Sequence, residues 1–146
     1  MCVGDEVGAG FEQAQERIVI VKLSYTLEKE IRFESAHKLM GLPEGHPCGN
    51  LHGHSYRALV KIQAFKLDDA GMIVDFGLVS EVGKMLDHKV LNDVMPDNPT
   101  AENLGAFILM TLNAVIFKLK AEEDVKVLAV TIHETCTSGV TVEAVE

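Results

Sequence analysis

Two histidines placed two positions apart are the residues of this chain best suited to metal chemistry. His52 and His54 flank Gly53. On an extended strand, side chains two residues apart leave the same face, whereas helical spacing would separate them. Two imidazoles on one face can hold a single metal ion. The spacing therefore indicates a metal site on a strand.

The surrounding residues predict two neighbouring strands. From Tyr56 to Ala64 apolar residues alternate with polar ones, which is typical of a strand with one buried face. His37 closes a similar alternating run upstream. If these strands pair antiparallel, three histidines meet and a fourth coordination position stays open. That arrangement is typical of a catalytic rather than a structural zinc ion.

Histidines at this spacing are also compatible with simpler roles. A lone buried histidine is usually a core residue, and a His-Gly-His triplet also occurs by chance. Cupins carry His-x-His on a strand too, but their pattern has a glutamate a few residues later, where this chain has Ala58 and Leu59. A metal held here would serve a catalyst, including a zinc hydrolase, or would only stabilise the fold.

Composition limits the class of protein. With 146 residues, 47% of them hydrophobic, the chain suits one folded domain. A formal net charge of −9 disfavours nucleic acid as a partner. No apolar run approaches the roughly 20 residues that span a bilayer, and the N-terminus lacks a basic region followed by an apolar one. We therefore expect a cytoplasmic protein with no membrane partner. The three cysteines, odd in number, are expected to be reduced thiols.

The remaining pattern predicts an α+β domain. Residues 1–16 have no clear period and are interpreted as an N-terminal extension prone to disorder, and residues 17–146 as a single domain. After the two strands, Asp75 is expected to cap one helix and Thr100 or Asn98 a second. Two more strands follow. The order ββααββ predicts a four-stranded antiparallel sheet with two helices on one face.

Finer details are also expected from the pattern. The first strand is expected to open at residues 18–21, with a turn or bulge near Glu28, and residues 72–74 to form a short strand. On the first helix, Met85 is assigned to the buried stripe. On the third long strand, Leu128 is placed on one face with Val130 and Ile132.

Several separate motifs resemble those of the 6-pyruvoyltetrahydropterin synthase superfamily. The resemblance covers about residues 25–145, nearly the whole chain after the extension. Its loop between residues 43 and 52 looks like that of the bacterial 6-carboxytetrahydropterin synthase branch, which belongs to queuosine biosynthesis. The motifs, in family order, are His37, Cys48-x-x-x-His52-Gly53-His54, the segments 71–76, 86–92 and 99–103, and Glu134-Thr135.

The resemblance implies a fold, an assembly and a reaction. The fold is the tunnelling fold (T-fold), in which trimerisation joins three sheets into a barrel and two trimers stack as a homohexamer. The reaction is that of a lyase, which converts 7,8-dihydroneopterin triphosphate, bound between subunits, to 6-carboxy-5,6,7,8-tetrahydropterin with release of acetaldehyde and triphosphate. The pyruvoyl synthase of tetrahydrobiopterin biosynthesis is the alternative, and a zinc hydrolase is a more distant one.

The resemblance also implies a metal site and a base. His37, His52 and His54 match the ligands of Zn²⁺, which as a Lewis acid makes a neighbouring C–H bond easier to deprotonate. Cys48 matches the family's base, and a nearby cation would favour its thiolate.

Further roles are implied for residues in the second half of the chain. His88 matches a proton relay with Asp87 beside it, although without the resemblance the two would be interpreted as a charge pair at a helix end. Glu134 matches the carboxylate that binds the amino-pyrimidine edge of the pterin. Thr100 and Glu102 are expected to contact the substrate as well.

Overall fold

A computed structural model describes residues 20–120 and 124–145 of the chain. The predicted N-terminal extension, residues 1–16, lies outside the described residues. The elements are β1 (Tyr25–His37), a 3₁₀ helix (Pro47–Gly49), β2 (His52–Ala64), α1 (Phe76–Leu86), β3 (Lys89–Val90), α2 (Leu91–Val94), α3 (Ala101–Leu119), β4 (Val125–His133) and β5 (Val140–Glu143).

The strands form one sheet in the order β3-β1-β2-β4-β5. β1 and β2 pair antiparallel without interruption, from Tyr25 opposite Ala64 to His37 opposite His52. β4 and β5 continue the antiparallel pattern. The predicted α+β fold is confirmed, and the structure adds two short elements. These are α2 and β3, which runs parallel to β1 and makes the sheet mixed.

One face of the sheet is buried beneath the helices. α1 packs on β1, and α3 packs on β4 and β5. The alternation predicted for the first two strands is confirmed, because every second residue from Ile31 to His37 and from Tyr56 to Ala64 is buried on this face. They are Ile31, Phe33, Ser35 and His37 on β1, and Tyr56, Ala58, Val60, Ile62 and Ala64 on β2.

Side-chain caps begin both long helices. Asp75 accepts a hydrogen bond from the N–H of Gly77, and Thr100 from the N–H of Asn103. The side chain of Asn98, the other predicted cap, bonds elsewhere. Met85 is exposed on α1, so its assignment to the buried stripe was wrong.

Helix α3 has the length and composition of a membrane-spanning helix, contrary to the expectation that no such run exists. In the structure, however, one side of α3 is buried against the sheet. Its buried residues are Leu104, Gly105, Ile108, Leu109, Leu112 and Ile116. The core helix of a globular domain passes the same test of length and composition, so the property says little about a membrane.

Four further local expectations were wrong. Within the described residues the first strand begins at Tyr25, and residues 72–74 form no strand. Leu128 is only half-buried, whereas Val127 is fully buried. The cause is a β-bulge: Lys61 lies opposite Ala129 but Ile62 lies opposite Val127, so Leu128 is an extra residue that shifts the alternation. The bulge expected near Glu28 is absent, since β1 pairs with β2 in continuous register.

Candidate metal centre and active site

The pairing of β1 with β2 brings three histidines together at one end of the buried face. His37 lies opposite His52, and Ser35 lies opposite His54. One ring nitrogen from each of the three histidines lies within 4.8 Å of the other two. His37 is almost completely buried, while His52 and His54 are half-buried. The cluster predicted from the spacing is therefore present.

Backbone carbonyls determine which nitrogen of each ring faces the cluster. His37 Nδ1 lies 2.7 Å from the carbonyl of Pro99, and His52 Nδ1 lies 2.8 Å from that of Asn50. A carbonyl only accepts, so each Nδ1 carries a proton, and in the neutral ring the Nε2 then has a free lone pair. These two Nε2 atoms face each other at 3.1 Å. Two lone pairs at that distance repel unless a cation lies between them.

The donor set fits zinc. Tetrahedral zinc with Zn–N bonds near 2.0–2.1 Å has nitrogens about 3.3 Å apart, close to the separation of these Nε2 atoms. Burial lowers the pKa of His54, and the neighbouring His37 and His52 lower it further, while Glu134 opposes them. The neutral, ligating form of the ring is thus favoured. Within residues 20–120 and 124–145, no cysteine or carboxylate joins the three histidines.

Tyr56 connects the histidine cluster to Glu134. Its hydroxyl lies 3.2 Å from His37 Nδ1 and is also hydrogen-bonded to Glu134. Burial raises the pKa of Tyr56 strongly, and the charge of Glu134 raises it further. The phenol therefore stays protonated and donates to the carboxylate. This bridge links a predicted ligand to the predicted pterin-binding residue.

The residues predicted to contact substrate share one cavity. Thr100, Glu102 and Glu134 line a space of about 270 Å³ together with Leu39. Thr100, the N-cap of α3, is half-buried, and Glu102 in the first turn of α3 is exposed. Because both residues line the cavity, the N-terminal end of α3 forms part of its wall. The geometry is compatible with the predicted substrate contacts, whose roles stay predictions.

Asp87 and His88 lie at the end of α1, where both form hydrogen bonds with the backbone of β1. Asp87 accepts a hydrogen bond from the N–H of Glu34 at 2.8 Å, and His88 donates its own N–H to the Glu34 carbonyl at 2.7 Å. The Glu34 N–H and then His88 hold the pKa of Asp87 below its usual range. His88 adopts a positive φ of 56°, a strained value for a residue with a side chain.

His88 shares a second cavity with the histidine cluster. Asp87 Oδ2 lies 2.9 Å from His88 Nδ1, while the His88 side chain is 79% exposed. Together with His54 and Lys89, His88 lines a space of about 490 Å³. Cys48 lines neither this cavity nor the smaller one.

Cys48 lies in the 3₁₀ helix four residues before His52, and its thiol is free and half-buried. Its N–H bonds to the ring of His46, 3.1 Å away, and its carbonyl accepts from Leu39 at 2.8 Å. Its predicted role as base stays a prediction.

Three residues of the site were missed by sequence reasoning. Tyr56 was assigned only to the buried face, Asn98 was considered only as a cap, and Asn92 was noted only within a motif. The roles of the two asparagines cannot be predicted from the sequence, because asparagine side chains also commonly form hydrogen bonds at helix ends and in turns.

A family model described as 6-pyruvoyl tetrahydropterin synthase matches residues 26–145. The chain belongs to this family. Proteins of Synechocystis sp. and Rickettsia typhi, each named 6-carboxy-5,6,7,8-tetrahydropterin synthase, are similar to it. The first is 35% identical in an alignment 125 positions long, which covers 79% of this chain and 90% of the relative. The second is 28% identical in an alignment 131 positions long, which covers 73% of this chain and 91% of the relative.

Solved structures share the fold of this chain. The Caenorhabditis elegans 6-pyruvoyl tetrahydropterin synthase superposes with a TM-score of 0.68 at 24% identity, covering 87% of this chain and 100% of that chain. A Wolinella succinogenes protein superposes with a TM-score of 0.63 at 21% identity, covering 83% and 98%. These structures confirm the predicted fold. The family match and the named relatives confirm the predicted family and the predicted class of enzyme, a lyase of the pterin synthase type.

Proposed function

We propose that this chain is a zinc-dependent 6-carboxy-5,6,7,8-tetrahydropterin synthase. It converts 7,8-dihydroneopterin triphosphate and water to 6-carboxy-5,6,7,8-tetrahydropterin, acetaldehyde and triphosphate, as a step of queuosine biosynthesis. The observation that carries the proposal is the three-histidine cluster, with two Nε2 atoms 3.1 Å apart and no fourth protein donor among the described residues. The names of the relatives support this product over others.

Zinc held by His37, His52 and His54 supplies Lewis acidity when bound. Cys48, as the thiolate, accepts the proton from the side-chain carbon of the substrate, a role for which its sulfur is free and partly accessible. Glu134 holds the amino-pyrimidine edge of the pterin, since a carboxylate accepts two parallel hydrogen bonds.

His88 transfers the proton to its new position, with Asp87 fixing the ring through the 2.9 Å contact at Nδ1. His88 is exposed, and Cys48 lines neither the cavity that contains His88 nor the one beside Glu134. Both facts favour a site that a neighbouring copy completes.

We infer an assembly of three or six copies. Within the described residues β1 pairs on its outer edge only at Ser35 and Ala36, so most of that edge is open. β5 forms the other edge of the sheet. Two open edges allow three sheets to join into a barrel, as the tunnelling fold implies. Light scattering after gel filtration should report a trimer or hexamer.

6-Pyruvoyltetrahydropterin synthase activity is the second candidate. The description of the family model and the Caenorhabditis elegans structure favour it. It differs in the fate of the side chain, because a pyruvoyl product retains the carbons that the carboxy synthase releases as acetaldehyde.

Product analysis tests the proposal. Zinc-loaded protein is incubated with 7,8-dihydroneopterin triphosphate, and the pterin and acetaldehyde are quantified. Equal amounts of acetaldehyde and 6-carboxy-5,6,7,8-tetrahydropterin are expected. A pyruvoyl pterin without acetaldehyde would overturn the carboxy assignment. The Cys48→Ala variant separates both from a zinc hydrolase, since hydrolysis survives this substitution whereas pterin turnover falls by about 100-fold or more.

Cytoplasmic localisation and the lack of nucleic-acid and membrane partners stay predictions. Fractionation of cells that express the tagged chain tests the first.

A further inference from the structure

Two asparagine side chains clamp the chain immediately after His37. Asn92 accepts from the N–H of Lys38 at 2.9 Å and donates to its carbonyl at 2.9 Å. Asn98 does the same for Met40, at 2.9 and 3.0 Å. Each amide therefore satisfies both backbone groups of one residue, as a paired strand would.

These amides continue the outer edge of the sheet. β3 pairs with Ser35 and Ala36, and the two asparagines take over at Lys38 and Met40. In an extended segment, backbone groups of successive residues point to opposite edges. Clamps on residues 38 and 40 therefore direct the N–H of the intervening residue to the other edge.

That intervening residue, Leu39, holds the 3₁₀ helix. Its N–H donates to the Cys48 carbonyl at 2.8 Å. Its side chain lines the 270 Å³ cavity beside Glu134. The backbone of Leu39 thus connects the segment that leaves His37 to the residue that carries the thiol.

Asn98 is itself fixed to the start of α3. Its carbonyl accepts from the N–H of Thr100 and from the side chain of Asn103, each at 2.8 Å. The next residue, Pro99, provides the carbonyl that orients His37. The same short segment therefore orients a metal ligand and clamps the chain beyond it.

The loop between His37 and the 3₁₀ helix has few backbone hydrogen bonds of its own to fix its conformation. Gly41 and Gly45 have positive φ values, and Pro43 and Pro47 lack N–H groups. The remaining backbone hydrogen bonds of the 3₁₀ helix are local, joining residues only three positions apart.

We propose that Asn92 and Asn98 are positioning residues that hold Cys48 in register with the histidine cluster. The inference rests on the proposed role of Cys48 as base. It assigns a role to two asparagines that line neither of the two cavities and do not belong to the histidine cluster.

The variants Asn92→Asp and Asn98→Asp keep the shape of the side chain but replace the donor with a second acceptor, which faces the Lys38 or Met40 carbonyl. Asn113→Ala is the matched control. It removes a comparable side-chain hydrogen bond, 3.0 Å long, to the N–H of Val127, which joins α3 to β4 away from the site. Circular dichroism establishes that each variant is folded, and each single variant leaves the other clamp intact.

The first readout needs no substrate and no metal. Alkylation of Cys48 by iodoacetamide in zinc-free protein is followed by peptide mass spectrometry. Release of the loop exposes the thiol, so both aspartate variants should react about tenfold faster than the wild type, with Asn113→Ala unchanged. The second readout is turnover by zinc-loaded protein. kcat should fall by about 10- to 100-fold with KM changed by less than about threefold, as for a displaced catalytic group.

Alkylation rates and kcat within about twofold of the wild type for both aspartate variants would overturn the inference. Equal effects in Asn113→Ala would also overturn it, because they would show a general loss of stability. If wild-type protein does not turn over the pterin, the proposed function fails, while the alkylation rates still test the clamp.

Discussion

The Nε2 atoms of His37 and His52 face each other at 3.1 Å across two strands. Neither ring is free to turn away, because each Nδ1 donates to a backbone carbonyl. The separation is therefore built into the pairing of β1 with β2 rather than into the rotamers alone. A cation between the two nitrogens relieves the repulsion of their lone pairs.

Replacing His52 with alanine should reduce zinc affinity by at least about 100-fold without unfolding the domain. His52 is half-buried at the end of the sheet, and the hydrophobic core lies elsewhere. Chelator competition measures the affinity, and far-UV circular dichroism measures the fold. Removal of zinc from the wild type should likewise abolish turnover and keep the spectrum. Loss of secondary structure on chelation would instead indicate a structural metal.

Asp87→Asn should lower the free energy of unfolding at pH 7 and lower kcat by about tenfold, because the carboxylate holds both the Glu34 N–H and the His88 ring. The folded pKa of Asp87 lies below its usual value of 3.8. Its stabilisation is therefore complete above about pH 4 and is lost as pH falls through the folded pKa. Denaturant unfolding of both proteins between pH 2.5 and 7 should show curves that converge at low pH.

The exposed Asp69→Asn variant is the control for Asp87→Asn, with no change expected at any pH. The other carboxylates with lowered pKa values among the described residues, Glu30 and Asp68, are present in all of these proteins and cancel from the difference. A stability gap that persists unchanged at pH 2.5 would contradict the assignment.

Tyr56→Phe should separate the effect of the Tyr56 hydroxyl from the effect of its ring on core packing. Phenylalanine retains the ring stacked on Phe33 but removes the hydroxyl between Glu134 and His37. Zinc affinity should fall by about tenfold, as for other residues that orient a ligand, and KM for the pterin should rise because Glu134 loses its donor. Unchanged zinc affinity and KM would show that the hydroxyl serves only the core.

Gly105→Ala should destabilise the domain by about 1–3 kcal/mol through close packing of α3 on β5. A Cβ here would lie 2.8 Å from Val142 Cγ2, which is closer than van der Waals contact allows. Thermal and denaturant unfolding measure the loss. Gly49→Ala is the control, since no atom lies within 4 Å of its added Cβ. A stability of Gly105→Ala equal to that of the wild type would contradict the packing described.

The paired strands and the histidine cluster were predictable because local patterns determine them. Alternation from Tyr56 to Ala64 reports one buried face, and the His-x-His spacing puts two rings on that face. The β-bulge at Leu128 was not predictable, because it depends on how β4 pairs with β2. In the same way, nothing local distinguishes the expected strand at residues 72–74 from the turn that is present.

The histidines of the candidate site were predictable, and the residues that orient them were not. Imidazole and thiol groups are recognisable by residue type, whereas Tyr56 looks like any aromatic core residue. The Tyr56 contacts with His37 and Glu134 join positions 19 and 78 residues apart, and the Asn98 clamp spans 58. Such long-range contacts follow from the assembled fold and leave no short-range pattern.

X-ray absorption at the zinc edge tests the central claim most directly, that three imidazoles hold zinc with one position open and Cys48 outside the coordination shell. Zinc-loaded protein should show only nitrogen and oxygen neighbours near 2.0–2.1 Å, and Cys48→Ala should leave the spectrum unchanged. A sulfur neighbour at about 2.3 Å that disappears in Cys48→Ala would make the thiol a ligand and contradict the account.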